Sequence, residues 1–258
     1  MYEDLDRPPL RRAALARALA PDGWRVEVLA RTASTNAVVA QRARDGEPAG
    51  LVVVAEQQTA GRGRLDRAWT SPPRAGLTLS VLLRPDLPPA QQGWLPLWGG
   101  LAVARALREQ TGVDALLKWP NDVLVGGRKV CGLLAEVAAP GAVVLGVGLN
   151  VSTRADELPV PTATSLLLEG ATTTDRDTVL RAVLRTLTGV LAEASPDGYR
   201  ALCSTIGARV RLELATGAVE GLAEAVDDDG HLVVDGRPYA SGDVVHLRPA
   251  PPEGRRDA

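Results

Sequence analysis

The sequence predicts an α+β fold, with a mixed, mostly antiparallel sheet flanked by helices and a small C-terminal β-barrel. Three observations lead to this prediction. Apolar segments with strand character are joined by short Gly-containing turns, which favour hairpins and therefore antiparallel pairing. Longer segments carry the apolar periodicity of helices. From about Gly207 the chain changes to short alternating segments separated by Gly and Asp, a pattern typical of a small barrel.

Helices are predicted from apolar periodicity and from residues that begin or end a helix. The first starts at a pair of prolines, the second is capped by Ser34 or Thr35, and the third ends at Gly112. The first is too short to form a DNA-binding winged helix. The predicted helices span residues 8–20, 34–44, 94–112 and 175–194.

Strands are predicted where apolar residues alternate or run together. The longest such segment contains a strand, a tight turn and a hairpin that bends at Gly126 and Gly127. In the main part of the chain the strand segments lie at 24–30, 51–57, 76–85, 115–137 and 142–151. The predicted division is a main domain over 1–206, a barrel over 207–249 and a disordered tail over 250–258, which lacks apolar residues.

Composition excludes several classes of protein. The formal net charge is -2, so no global basic field favours nucleic acid or an anionic membrane. No apolar run reaches the roughly 18 residues of a membrane span, and no secretory signal begins the chain, which favours a cytoplasmic protein. The two cysteines form no CxxC pair, and both histidines lie near the C-terminus. Disulfide frameworks, zinc sites and Ser-His-Asp or Cys-His catalysis are therefore not expected.

Lysine is rare in this chain, which uses arginine for almost every cation. Of 29 basic residues only Lys118 and Lys129 are lysines. A compact ammonium differs chemically from a planar guanidinium, so these two positions are candidates for chemistry. The alternative for Lys129, which lies in the predicted hairpin, is a solvated surface cation.

A Gly-Arg-Gly-Arg segment follows the Val-rich strand, within Gly61–Trp69. Glycines without Cβ beside two guanidinium groups let backbone N–H donors and cations approach an anion together. This composition is typical of a phosphate or carboxylate clamp, although the four residues alone favour a flexible, arginine-bearing surface loop. The segment matches neither the P-loop nor the dinucleotide-binding glycine motif.

The segment KWPND, Lys118–Asp122, is predicted to be a sharp turn after an apolar strand. Its simplest interpretation is a turn with an exposed lysine, in which Asn121 and Asp122 satisfy backbone groups. Trp119 indicates partial burial, however. A lysine there would stabilise negative charge in a pocket of low dielectric constant far better than in water.

Taken together, these motifs resemble bacterial biotin protein ligases. The resemblance rests on the order and spacing of STN at 34–36, EQQTAGRGR at 56–64, KWPND, GRKVCGLLAE at 127–136 and GVGLN at 146–150. It covers residues 24–248 and implies a catalytic domain like that of class II synthetases with an SH3-like barrel. Because only 33 residues precede Ser34, we expect the monofunctional type, without a DNA-binding domain.

The resemblance implies site residues position by position. Ser34, Thr35, Asn36 and Gln58 would line the ureido end of biotin, and Gly61, Arg62 and Arg64 would fold over biotin and its adenylate. Lys118 would contact the carboxylate and the α-phosphate, with Arg64 as its catalytic partner. Gly132, Leu133 and Leu134 would wall the bicycle and chain, and Arg67, Trp69, Asn121 and Asn150 match the nucleotide side. Two ambiguities stay open: Ser34 is also a helix cap, and GVGLN is also a close-packed core strand.

One departure from the family pattern is Leu65-Asp66, where relatives usually have a glycine in second place. Without it a positive φ is restricted, and an aspartate between Arg64 and Arg67 is placed to pair with one of them. We therefore expect altered loop dynamics and an unchanged reaction.

The implied reaction joins biotin to ATP, with Mg²⁺, as biotinyl-5′-adenylate and then transfers biotin to a lysine of a biotin carboxyl carrier domain. That carrier belongs to an acyl-CoA or pyruvate carboxylase, and no DNA or membrane partner is expected. The alternatives are a lipoate or octanoate ligase or transferase of the related fold, and a non-catalytic biotin-binding protein. The sequence leaves open the metal ligands and the oligomeric state.

Overall fold

The computed structural model describes residues 7–247, apart from the side chains of Asp66, Pro89 and Ala90. The helices, in chain order, are α1 (Arg12–Leu19), α2 (Thr35–Arg44), α3 (Trp94–Thr111), α4 (Arg176–Glu193) and α5 (Pro196–Leu202). The four predicted helices are confirmed, with α1 shorter than expected at its start. The sequence analysis missed α5, because seven residues are too few to show helical periodicity.

Nine strands precede α4. They are β1 (Arg25–Leu29), β2 (Leu51–Ala55), β3 (Gly61–Arg62), β4 (Ala68–Trp69), β5 (Gly76–Leu83), β6 (Ala115–Lys118), β7 (Asp122–Val125), β8 (Arg128–Ala139) and β9 (Ala142–Asn150). Seven of them form one sheet in the order β1-β2-β5-β9-β8-β7-β6, while β3 and β4 form a separate two-stranded hairpin. Every neighbouring pair in the large sheet is antiparallel except β1 and β2, as expected from the hairpin signals.

The large sheet is covered on both faces, so its central strands are apolar throughout. Along β2, Val52 and Val54 face the core under α3 and α4, whereas Leu51 and Val53 face a smaller core under α2. Burial on both faces explains why this segment reads as a continuous run of valines rather than as an alternating pattern. The start of α2 and the turns of the sheet line a cleft on one side of the domain.

The C-terminal strands are β10 (Arg209–Leu214), β11 (Gly217–Val226), β12 (Leu232–Val234), β13 (Arg237–Tyr239) and β14 (Asp243–His246). They form a second antiparallel sheet in the order β13-β12-β11-β10-β14, consistent with the predicted SH3-like barrel. The predicted fold class is thereby confirmed. The predicted tail over 250–258 lies outside the described residues.

Two tryptophans fasten the barrel to the main sheet. The indole Nε1 of Trp119 donates to the carbonyl of Gly230 at 3.0 Å, and that of Trp94 donates to the carbonyl of Asp228 at 2.8 Å. Both tryptophans are 1% exposed, and the inward residues of the barrel belong to the same apolar cluster as the main core. The barrel is therefore held at a fixed place, whereas the predicted division at 206/207 stays a prediction.

No helix within residues 7–247 combines the length and the apolarity needed to cross a bilayer.

A buried ion pair ties α4 to the end of β2. The Arg176 guanidinium donates to Glu56 Oε2 at 2.7 Å, and the two side chains are 5% and 11% exposed. Removing one partner of such a pair leaves an uncompensated buried charge, which costs about 3–5 kcal/mol. We expect Glu56→Gln to lower the free energy of unfolding by about that amount in a urea titration. The control is Glu213→Gln, which breaks the exposed pair with Arg211; equal effects of the two substitutions would contradict the buried-pair account.

Candidate active site

A cleft of about 950 Å³ lies between the start of α2, the β3–β4 hairpin, the β6–β7 turn, strands β8 and β9, and the barrel strand β14. All of the predicted site residues line it except Gly61, which is buried behind Gln58. Those that line it are Ser34, Thr35, Asn36, Gln58, Arg62, Arg64, Arg67, Trp69, Lys118, Asn121, Gly132, Leu133, Leu134 and Asn150.

The first turn of α2 forms a polar end of the cleft. Ser34 is the N-cap, and its Oγ accepts from the backbone N–H of Ala37 at 3.4 Å. The backbone N–H of Thr35 donates to Oε1 of Gln58 at 2.9 Å, and the Thr35 hydroxyl lies 3.2 Å from the same oxygen. Ser34 therefore caps the helix and also faces the cleft, and its role as a ligand-binding residue stays a prediction.

Two residues that the sequence analysis did not single out hold Asn36. Ser80 Oγ lies 2.6 Å from Asn36 Oδ1 and 2.7 Å from Thr35 Oγ1, so one hydroxyl bridges both side chains. The Asn36 amide donates to Glu136 Oε2 at 2.5 Å. Glu136 also pairs with Arg62 at 3.7 Å. The sequence offered two signs of these roles: Ser80 is a polar residue inside the apolar strand GLTLSVLL, and Glu136 is a charged residue at the end of KVCGLLAE.

The glycines of GVGLN make room for two site residues. A Cβ on Gly146 would collide with the Asn36 amide, and a Cβ on Gly148 would collide with the indole ring of Trp69. The strand is a close-packed core strand, as the alternative interpretation stated. The side chains that pack on it, Asn36 and Trp69, line the cleft, however. The two glycines therefore act by positioning these side chains.

The Gly-Arg-Gly-Arg segment is not a free surface loop. Gly61 pairs with Trp69 in the β3–β4 hairpin, and the absence of a Cβ lets Gln58 and the Trp69 carbonyl approach it. Between the strands Leu65 adopts φ 52° and ψ 42°, a conformation that non-glycine residues adopt at a cost. The positive φ thus falls on Leu65, one residue before the position where relatives usually have glycine. The predicted pairing of Asp66 lies outside the described side chains.

The barrel contacts this hairpin through its last strand. Arg64 donates to the backbone carbonyl of Gly242 at 3.4 Å, and Arg67 forms an ion pair with Asp243. Asp243 and His246 of β14 also line the cleft. One wall of the site is therefore supplied by a strand more than a hundred residues away in sequence, which no local motif could predict.

Asn121 anchors the KWPND turn to β8. Its side-chain amide donates to the Leu133 carbonyl at 2.7 Å, and its own carbonyl accepts from the Leu133 backbone N–H at 2.9 Å. The Leu133 side chain points away, against Gly99 and Gly100 of α3. Asn121 therefore satisfies backbone groups, as the simplest interpretation held, but on β8 rather than within the turn.

Lys118 lies half-buried in the cleft. Burial lowers the pKa of its ammonium group, Asp122 opposes this, and the cations Lys129 and Arg67 lower the pKa further. Burial also lowers the pKa of Arg64. A group whose charged form is desolvated beside other cations is well placed to receive an anion.

Lys129 belongs to the same cluster rather than to a solvated hairpin. Its Nζ lies 2.5 Å from Asp122 Oδ1 and 5.9 Å from the ring centroid of Trp69. Lys129, which follows the Gly126–Gly127 bend, therefore lines the cleft together with Lys118. Both lysines of the chain line one site.

One buried donor beside the cleft, the indole Nε1 of Trp69, has no hydrogen-bond partner within residues 7–247. The Asn150 side chain, by contrast, donates to the Thr164 carbonyl at 2.9 Å. In the described part of the chain no group of three or more His, Cys, Asp or Glu residues could hold a metal ion. The cleft thus presents cations, which suit an anionic ligand.

The site is therefore a cleft in an α+β domain that is lined by cationic side chains and closed on one side by a small barrel. The biotin/lipoate A/B protein ligase family model matches residues 28–152, and the biotin protein ligase C-terminal domain model matches residues 205–247. The chain is 47% identical to a biotin–[acetyl-CoA-carboxylase] ligase of Mycobacterium tuberculosis, over 94% of this chain and 97% of that protein. It therefore belongs to the biotin protein ligases, which are enzymes.

Solved structures agree with this assignment. The biotin protein ligase of Aquifex aeolicus in complex with biotin and ATP is 30% identical, with a TM-score of 0.73 over 87% of this chain and 99% of that chain. The biotin protein ligase of Leishmania major in complex with biotinyl-5-AMP is 26% identical, with a TM-score of 0.61 over 87% of this chain and 98% of that chain.

Proposed function

We propose that this enzyme binds biotin and Mg-ATP in the described cleft, forms biotinyl-5′-AMP and transfers biotin to a lysine of a biotin carboxyl carrier domain of an acyl-CoA or pyruvate carboxylase. The main observation in support is the cleft itself, which has a neutral polar end at Thr35 and Gln58 and a cationic end at Lys118. Neutral amide and hydroxyl groups suit an uncharged ureido ring, and cations suit a carboxylate and phosphates. The ligands named for the similar Aquifex and Leishmania proteins support the same pair of substrates.

The roles of the polar end follow from its contacts. Ser34, Thr35, Asn36 and Gln58 would hydrogen-bond the ureido ring, because Ser80 and Glu136 already fix the neighbouring side chains. Gly61, Arg62 and Arg64 would cover the bound acid. Gly132 and Leu134 would wall the apolar parts of biotin, with Leu133 contributing its backbone since its side chain faces α3.

The nucleotide would occupy the other end. Trp69 lines the cleft and offers an aromatic ring there, and Arg67 lies near it in the hairpin. Asn121 and Asn150 line this region but are held by the Leu133 and Thr164 carbonyls, so we assign them mainly to shaping it. Lys129 would reach the phosphates from the side of Asp122.

In the first step the biotin carboxylate oxygen bonds to the α-phosphorus while the bond to pyrophosphate breaks. Lys118 and Arg64 would stabilise the charge on the transferring phosphate, because partly buried cations act strongly at low dielectric constant. In the second step a carrier lysine amine attacks the anhydride carbonyl, a proton leaves the nitrogen, and AMP departs. The β3–β4 hairpin would keep water from the anhydride between the steps.

Magnesium fits this site as a companion of ATP. Mg²⁺ is usually held by one or two carboxylates and the substrate phosphates, so a three-residue cluster is not required. Asp122 and Asp243 are the carboxylates that line the cleft. Asp122 would contact the ion, which would supply charge neutralisation at the phosphates.

The test is pyrophosphate exchange into ATP by the purified protein with magnesium, comparing biotin, lipoate and octanoate. We expect exchange with biotin alone. Exchange with lipoate or octanoate instead would assign the protein to the related ligases, and absence of exchange with any acid would favour a transferase or a binding protein.

Glu136 provides a sharper test of the biotin end. Glu136→Ala removes the acceptor of the Asn36 amide, so we expect biotin binding to weaken about tenfold, the usual effect of losing a charge-assisted hydrogen bond. Isothermal titration measures this. Glu136→Gln keeps an acceptor for Asn36 and should lose less. An unchanged biotin dissociation constant in Glu136→Ala would contradict a role of Glu136 in biotin binding.

A further inference from the structure

His246 lines the cleft but has no part in the mechanism above. It is the last residue of β14 and enters the site from the barrel, opposite the main sheet. The chain has two histidines, and the other, His231, is not among the residues that line the cleft. Its imidazole is half-buried and lies close enough to Lys118 to interact with that ammonium group.

A hydrogen-bond chain joins His246 to the Lys118 turn. The backbone N–H of Trp119, the residue after Lys118, donates to Thr205 Oγ1 at 3.1 Å. Thr205 Oγ1 in turn lies 3.1 Å from His246 Nε2. Thr205 is fully buried at 0% exposure, so its hydroxyl proton needs an acceptor inside the protein.

This chain favours one tautomer of the imidazole. The buried Thr205 hydroxyl accepts from Trp119 and needs an acceptor for its own proton, and we assign that role to His246 Nε2. A neutral imidazole that accepts at Nε2 carries its proton on Nδ1. Within residues 7–247 no hydrogen bond to Nδ1 is formed, so that N–H donor is available.

The electrostatic surroundings keep the ring neutral. Burial lowers the pKa of His246, and the ammonium group of Lys118 lowers it further. The other charged groups on the elements around the ring are Arg64 and Arg67 of the hairpin, Asp243 on β14, and Asp122 with Lys129 on the main sheet. Asp243 is paired with Arg67 and Asp122 with Lys129, so neither carboxylate is left to favour an imidazolium ion.

We propose that His246 is a nucleotide-binding residue, whose Nδ1–H donates to a phosphate oxygen of ATP and of the adenylate. The proposal rests on the proposed function, since it assigns a ligand atom within the same cleft. The barrel then contributes a direct substrate contact as well as a wall, and the Thr205 relay orients that contact from the Lys118 turn. An uncharged donor adds to phosphate binding without repelling the nearby cations.

Two substitutions separate the ring nitrogens. The amide of His246→Asn reaches about the position of Nδ1 and keeps a donor there, whereas the amide of His246→Gln reaches about the position of Nε2 and keeps the contact with Thr205. We expect His246→Gln and His246→Ala to raise the KM for ATP about tenfold in biotin-dependent pyrophosphate exchange. His246→Asn should raise the KM for ATP less than His246→Gln and His246→Ala do, and the biotin dissociation constant should not change in any variant.

The opposite order, with activity retained by glutamine and lost with asparagine, would overturn the proposal and assign His246 to holding Thr205. Equal KM values in all variants would overturn it too. Calorimetric ATP binding to the same variants in the absence of biotin is the second readout. If the unchanged protein binds ATP but shows no exchange, the proposed reaction fails, while the ranking of the ATP dissociation constants still decides the role of His246.

Discussion

Lys118→Ala is expected to reduce biotin-dependent adenylate formation by about 100- to 1000-fold, the usual effect of removing one group that stabilises transition-state charge. Biotin binding should weaken much less, because the polar contacts around Thr35 and Gln58 lie at the other end of the cleft. Single-turnover formation of biotinyl-5′-AMP and biotin calorimetry on the same protein measure the two effects separately. Adenylate formation at a near-normal rate would contradict the role given to Lys118.

The pH dependence gives this prediction an independent check. The pKa of Lys118 is lowered by burial, and the protonated form is the one that stabilises phosphate. The rate should therefore fall as pH rises through this lowered pKa, at a pH below the usual value for a lysine side chain. Lys118→Arg should move that alkaline limb upward, because arginine stays protonated. If the alkaline limb of the Lys118→Arg profile stays at the same pH, it arises from the titration of another group.

Gly148→Ala is expected to remove most ATP binding while leaving biotin binding largely intact. The added Cβ would occupy the space of the Trp69 indole ring, so the ring must leave the strand on which it packs. Since the overlap is with a large rigid ring, we expect a loss of about tenfold or more in affinity for ATP, comparable to an overpacked site at 1–3 kcal/mol. ATP calorimetry measures it.

Matched glycine substitutions show whether the loss is specific. Gly189→Ala in α4 meets no atom within 4 Å and should leave both affinities unchanged. Gly146→Ala collides with Asn36 instead, so biotin binding should suffer. If Gly148→Ala acts through Trp69, adding Trp69→Ala to it should cause no further loss. Additive losses would indicate a general defect of β9.

Much of this architecture could be predicted because local chemistry determines it. Ser34 at the start of α2, Gly112 at the end of α3 and the Gly126–Gly127 bend behave as their positions in the sequence indicate. The predicted site residues also come together, although their roles as ligands stay predictions. Motif order sufficed there because the fold brings the elements that carry these motifs to one cleft.

What the sequence did not predict depends on contacts between distant segments. Ser80 and Glu136 look like ordinary strand residues until Asn36 packs between them. Likewise, Asp243 and His246 join the site because the barrel packs against the main domain, where Trp119 and Trp94 hydrogen-bond to it. No spacing rule relates residues so far apart in the chain.

The sequence also did not predict the backbone conformation between β3 and β4. The sequence drew attention to Asp66, where relatives usually have glycine, but the left-handed conformation falls on Leu65. A leucine with φ 52° and a side chain that is 70% exposed carries a cost without packing to offset it. The pairing of Arg67 with Asp243 gives the hairpin another support.

The central claim is tested most directly by following biotin through both steps on one protein. The protein is incubated with biotin and Mg-ATP, freed of unbound ligand and analysed for retained biotinyl-5′-AMP; an apo carrier domain is then added and its mass measured. We expect about one adenylate per protein, discharged onto a single carrier lysine. Absence of the adenylate, or an adenylate that hydrolyses without modifying the carrier, would contradict the account.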